Sequence, residues 1–143
     1  MPHVTHNHPK LTLEGAKAVL AAAERRAVEI GVPMNIAIVD DGGHLAAFSR
    51  MDGAKLSSAR ISIAKAHASA IRRLPSGAPN NDPATVLMAL SLSVTSRAHQ
   101  TPLRGGLPIL VEGQCIGAIG VSNGSEEQDL DVARAGIAAL VIR

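Results

Sequence analysis

The spacing of apolar residues changes repeatedly along this chain, and each change marks an element. Leu13, Ala16, Leu20, Ala23, Ala27 and Ile30 recur every three or four residues, which predicts a helix with one face on a core. Thr12 stands where an N-cap belongs, Glu14 lies in the first turn, and Gly31 with Pro33 closes the helix. From Met34 the period falls to two. Met34, Ile36 and Ile38 alternate with Asn35, Ala37 and Val39, and a partner strand is expected over His44–Ser49. Asp41-Gly42 is read as the tight, positive-φ turn between them.

The helical period returns over about residues 56–74, with Ser57 or Ser58 as cap. Leu56, Ile63, Ala70 and Leu74 form one apolar stripe there and Ile61, Ala64, Ala68 and Ile71 another, so this helix is expected to be covered on two sides. His67 is placed towards the sheet and Lys65 away from it. Residues 75–81, rich in Pro, Gly and Asn, read as a loop, and Asp82-Pro83 opens a third helix that Val86, Leu90 and Val94 carry to about Val94. A second hairpin follows, Leu107–Val111 and Cys115–Val121, around Glu112-Gly113-Gln114. Gly117 and Gly120 fall on opposite faces of its last strand, where a missing side chain marks close approach by something else. Ser125-Glu126-Glu127-Gln128 is a capping box opening a final helix with Leu130, Ile137 and Leu140 inward. The order helix-hairpin-helix-helix-hairpin-helix predicts an α+β fold, a central antiparallel sheet of two hairpins covered by helices. Residues 11–143 form a single domain, and residues 1–10, with His3, His6 and His8, a flexible arm.

Composition narrows the function. Apolar residues are 46% of the 143, but aromatics are 1%, so the core is built from small aliphatic side chains and stability is expected to lean on homo-oligomer formation. A formal charge of +2 and the lack of stacking aromatics speak against nucleic acid. The single Cys115 excludes an internal disulfide and a thiolate zinc site, and no metal centre is expected. Neither a signal peptide nor a membrane-length apolar run is visible, which reads as a cytoplasmic protein with no membrane partner.

Two groups of residues carry candidate chemistry. His67, His99 and Lys65 are the candidate proton-transfer groups. Arg50, Asp52, Arg104, Gly105 and Gly106 are the candidate binding groups, the arginines for a carboxylate and the paired glycines for an anion or developing oxyanion. Cys115 sits in an apolar strand pattern and reads as an inert buried thiol.

The run DDGGHLAAFSRMDGAKLSSARISIAKAHASA, with RGGLPILVEGQCIGAIGVSNG and the closing DLDVARAGIAAL, resembles the GlcG/HbpS-like family, which also includes the C-terminal domain of PduO-type proteins. The resemblance spans about residue 11 to the C-terminus, with Asn123 standing where many members have glycine. It implies a compact α+β fold assembled into dimers or larger rings, with ligands that include haem or corrinoid-related groups in some members. Others sit in pathways for small organic acids.

Two readings follow, with a small-molecule ligand in both. The first is a catabolic protein, read as an enzyme that isomerises, hydrolyses or deaminates a small oxo- or amino-carboxylate without a cofactor; the alternative is a non-catalytic binder of haem or another tetrapyrrole. The residue chemistry alone leans to the first, because Arg50 and Arg104 suit a small anion and the chain has one Phe and no Tyr or Trp to wall a macrocycle.

Overall fold

The computed structural model describes residues 1–97 and 99–142. The observed elements are α1 (Leu13–Ile30), β1 (Asn35–Asp40), β2 (Leu45–Arg50), α2 (Ser57–Arg72), α3 (Pro83–Thr95), β3 (Gly106–Val111), β4 (Gln114–Ser122) and α4 (Glu126–Ala138). They follow the predicted order. The four strands make one antiparallel sheet, β2-β1-β4-β3, in which the two hairpins meet through β1 and β4.

The helix ends obey the capping chemistry of the sequence at three of the sites named above. The Thr12 hydroxyl accepts from the Gly15 amide, Gly31 takes the left-handed conformation (φ 72°), and Ser125 and Gln128 form a complete capping box. Two expectations are corrected. Helix α2 is preceded by Leu56 and has no side-chain cap, because Ser58 is buried in the helix itself. The first hairpin does turn at Asp41-Gly42, closed by the Gly43 amide donating to the Asp40 carbonyl, but its connection is longer than two residues and the positive φ falls at Gly43 (80°). Glu112 and Gly113, both at positive φ, instead give the second hairpin its tight two-residue turn.

Both faces of the sheet are covered, and unequally. Ile36, Ile38, Ile119 and Val121 pack with Ala16, Val19, Ala23 and Ala27 of α1 and Val132 and Ala133 of α4. The other face presents Ala37, Val39 and Ala118 to Ala66 and Ala70 of α2. Large side chains on one side and small ones on the other bring the α2 backbone close to the strands. A Cβ on Gly120 would strike the Ser62 carbonyl oxygen, and one on Gly106 would strike the Lys65 carbonyl oxygen. Gly117, on the opposite face, sits under Leu11. An aromatic-poor core therefore has a structural use: it seats a helix on glycines.

Helix α3 is different. Only Ala89 is buried, while Val86, Leu87, Met88, Leu90 and Val94 are exposed, Leu87 at 64% and Val94 at 73%. No described helix is long and apolar enough to cross a membrane.

Candidate ligand site

His67 and His99 come together. Their rings lie edge to face with centroids 5.2 Å apart, and with Arg60, Ile63 and Ala64 they line an open cavity of about 330 Å³. Contrary to the sequence expectation, His67 does not meet the sheet. The sheet side of α2 carries Ser58, Ser62, Lys65, Ala66 and Ser69, and His67 reaches instead to the turn between β1 and β2.

That turn fixes the imidazole. The Asp40 carboxylate accepts from the Gly42 and His44 amides, each at 2.9 Å, and the Gly43 amide donates to the Asp40 carbonyl. The Gly43 carbonyl is thereby held 3.1 Å from His67 Nδ1. A carbonyl can only accept, so Nδ1 bears the proton and the lone pair of a neutral ring belongs to Nε2. Nε2 is buried and has no hydrogen-bond partner among the described residues. One ring nitrogen is thus fixed by a backbone carbonyl and the other has no partner among the described residues. Gly43 is required here, since a Cβ would come within 2.5 Å of Nδ1.

The other predicted groups lie elsewhere. Lys65, expected away from the sheet, is buried at 3% exposure between α2, β4 and α4. It donates to Asp129 and to the Val121 carbonyl, both at 2.8 Å. Burial pushes the Asp129 carboxyl above the usual range, opposed by Lys65 and by the Gly124 amide. Lys65 and Arg104 share a second cavity, of about 230 Å³, with Lys55, Asp129 and Glu126. The Arg104 guanidinium is spent within the chain. It donates to the carbonyls of Ala78 and Asn80 and to Asn81, and pairs with Glu126 at 3.1 Å. The Gly106 amide donates to Ser76, and the Gly105 carbonyl accepts from Val121. Arg50, at the end of β2, and Asp52, in the following turn, are exposed, and neither forms an ion pair among the described residues.

Sequence reasoning missed Asp129, the partner that makes Lys65 buriable, because in Glu126-Glu127-Gln128-Asp129 it looks like one more acid at a helix start. It also missed Arg60 and the Gly43 carbonyl, neither of which carries a local signal. Asn123, noted as a departure from glycine, sits at φ 119° and ties loops together, donating to the Pro33 carbonyl and accepting from the Lys55 amide. Asparagine tolerates positive φ better than most residues, and here its side chain is used as well.

The sheet thus carries helices on both faces, with His67 and His99 beside an open cavity at one of them. The family model described as haem degrading protein HbpS-like matches residues 11–138, and the chain belongs to this family. Protein GlcG of Escherichia coli is 39% identical over 115 residues, covering 78% of this chain and 81% of that one. Among solved structures, protein ORFY of Klebsiella pneumoniae superposes with a TM-score of 0.85 at 29% identity, covering 97% of this chain and 96% of its own. A PduOC–haem complex superposes with a TM-score of 0.78 at 25% identity, covering 92% and 96%.

Proposed function

We propose that this protein binds haem or a closely related tetrapyrrole, which His67 Nε2 would hold. The observation that carries the reading is the buried, unpartnered Nε2 whose tautomer the Gly43 carbonyl sets. The family match and the haem complex of a relative support it. When bound, haem supplies the redox chemistry of its iron. The chain supplies a neutral imidazole, an apolar wall at Ile63 and Ala64, a second ring at His99 and the Arg60 cation for a propionate. The small-carboxylate enzyme reading has less support. Its two best donors, the Arg104 guanidinium and the Gly106 amide, are already engaged within the fold.

Hemin titrated into purified protein and followed by absorbance tests this. Saturable binding with a Soret shift is expected, and His67→Ala should weaken it by more than about tenfold, the scale on which ligand-shell losses act. His99→Ala should change the spectrum less. Wild type that takes up no hemin, or a His67→Ala variant that binds with an unchanged spectrum, sinks the reading.

The same proposal includes assembly. A row of exposed Val86, Leu87, Leu90 and Val94 is a surface that soluble monomers rarely leave bare. We expect Leu87→Glu to lower the oligomeric state in light scattering while the circular dichroism spectrum is retained. Wild type that runs as a monomer at all concentrations would remove this part.

A further inference from the structure

Away from His67, on the side of the sheet edge where α2 ends, lies a larger cavity of about 390 Å³. Its walls are Leu74, Pro75 and Ala78 of the α2–α3 connection, Leu107 of β3 and Leu130 of α4; Arg72 stands at it from the end of α2 and Arg134 from within α4. We propose that this cavity is a binding site for a monocarboxylate with an apolar tail, the carboxylate held by Arg72 and Arg134.

Three features point there. First, Arg72 and Arg134 form no ion pair and donate no side-chain hydrogen bond among the described residues, although acidic side chains pair with Lys10, Arg26, Lys65 and Arg104 elsewhere. No acidic residue lines the cavity, and of the three arginines that do, only Arg104 is paired, with Glu126, which leaves Arg72 and Arg134 without a counterion among the described residues. Planar guanidinium groups match a carboxylate bidentately, and aliphatic walls reward a hydrocarbon tail.

Second, the wall is built before any ligand arrives. The Ser76 amide donates to the Gly106 carbonyl, its hydroxyl donates to the Leu103 carbonyl and accepts from the Gly106 amide, and Arg104 Nε donates to the Ala78 carbonyl. Ser76 and Ala78 are buried, and Gly77, at φ 85°, has no room for a side chain because a Cβ would lie 2.8 Å from the Pro102 oxygen. A pre-ordered loop lowers the entropy cost of binding. Arg104, predicted to bind the anion, thus shapes the loop that contains one.

Third, size selects the ligand. At roughly 30 Å³ per heavy atom, the share of a water in the liquid, the cavity holds about a dozen atoms. That suits a medium-length or aryl-substituted acid.

The test is calorimetric titration of the intact protein with 4-phenylbutanoate and with 4-phenylbutanamide, which differ only in the charged group. The carboxylate should bind saturably at one per chain and the amide at least about tenfold more weakly, as expected for losing a charge-assisted hydrogen bond. Arg72→Gln and Arg134→Gln should each weaken the carboxylate by about tenfold and leave the thermal midpoint close to wild type, both being at the helix surface. His67→Ala should bind the carboxylate as wild type does, which separates this site from the haem reading. Equal binding of acid and amide, indifference to both arginine variants, or no saturable binding of either compound overturns the proposal. So does a lower oligomeric state in the arginine variants with unchanged carboxylate affinity, which would give the cavity to a second copy.

Discussion

Gly120→Ala, the addition of a single methyl group in a central strand, is expected to destabilise the protein by about 3 kcal/mol or more, the upper range for overpacking a tight core. In an ordinary strand the same change is favourable, since alanine has less chain entropy to lose. Here the new Cβ would overlap the Ser62 carbonyl oxygen and lie 2.5 Å from the Ala66 nitrogen. Both atoms are backbone of α2, so no side chain can rotate away. The whole helix must lift from the sheet and lose the Ala37, Val39, Ala66 and Ala118 packing with it. At roughly 3 °C per kcal/mol for a chain of this size, the thermal midpoint should fall by about 10 °C. Gly113→Ala is the control. That glycine has φ 77° and open space around it, so its cost is conformational alone, about 1 kcal/mol. A Gly120→Ala midpoint at or above wild type would show that α2 is not seated on the strand.

The same contact explains what the sequence left unread. Hydrophobic periodicity located all eight elements, because α1, β1, β4 and α4 bury aliphatic residues at regular spacing. It misjudged the faces of α2, whose sheet side carries Ser58, Ser62, Lys65 and Ser69. Those residues are buried because they are small or paired, not because they are apolar. The Ser62 hydroxyl turns back to the Ala59 carbonyl, and Lys65 finds its acid on α4, a partner that no local pattern announces. Only the glycines at 106 and 120 held the clue, and their meaning depends on which element lies over them. In α3 the reverse holds: its apolar residues were plain, but within one chain little covers them.

The candidate sites divide the same way. His67 and His99 were both legible as titratable groups, yet what fixes the His67 ring is the carbonyl of Gly43, delivered by a turn that Asp40 braces. Arg104 and the Gly105-Gly106 pair were legible as anion binders by type. Tertiary structure spends them on the fold, and the cation role proposed for Arg72 and Arg134 falls to residues that read as ordinary helix charges. Residue type shows what a group can do, and its neighbours decide whether it is free to do it.

Asp129→Ala is expected to cost about 3–5 kcal/mol, the loss typical when one member of a buried ion pair is removed. Lys65 Nζ would remain buried with the Val121 carbonyl as its sole acceptor, and an ammonium held there has no carboxylate to offset its desolvation. The double variant Lys65→Met/Asp129→Leu should recover part of that loss, because it removes both charges together. Lys65→Met alone behaves differently with pH, and the sign can be worked out. Burial already raises the Asp129 carboxyl above its unfolded value, and removing the cation that opposes this raises it further. A carboxyl with a raised folded pKa contributes most below the unfolded pKa, and that contribution is lost as the pH rises through the folded one. Relative to wild type, Lys65→Met should therefore gain stability as the pH falls from 7 towards about 4, where the unfolded carboxyl titrates. Urea unfolding of both proteins across that range measures the difference. A gap that stays constant or widens on acidification would mean that Asp129 is not held as a buried carboxylate by Lys65.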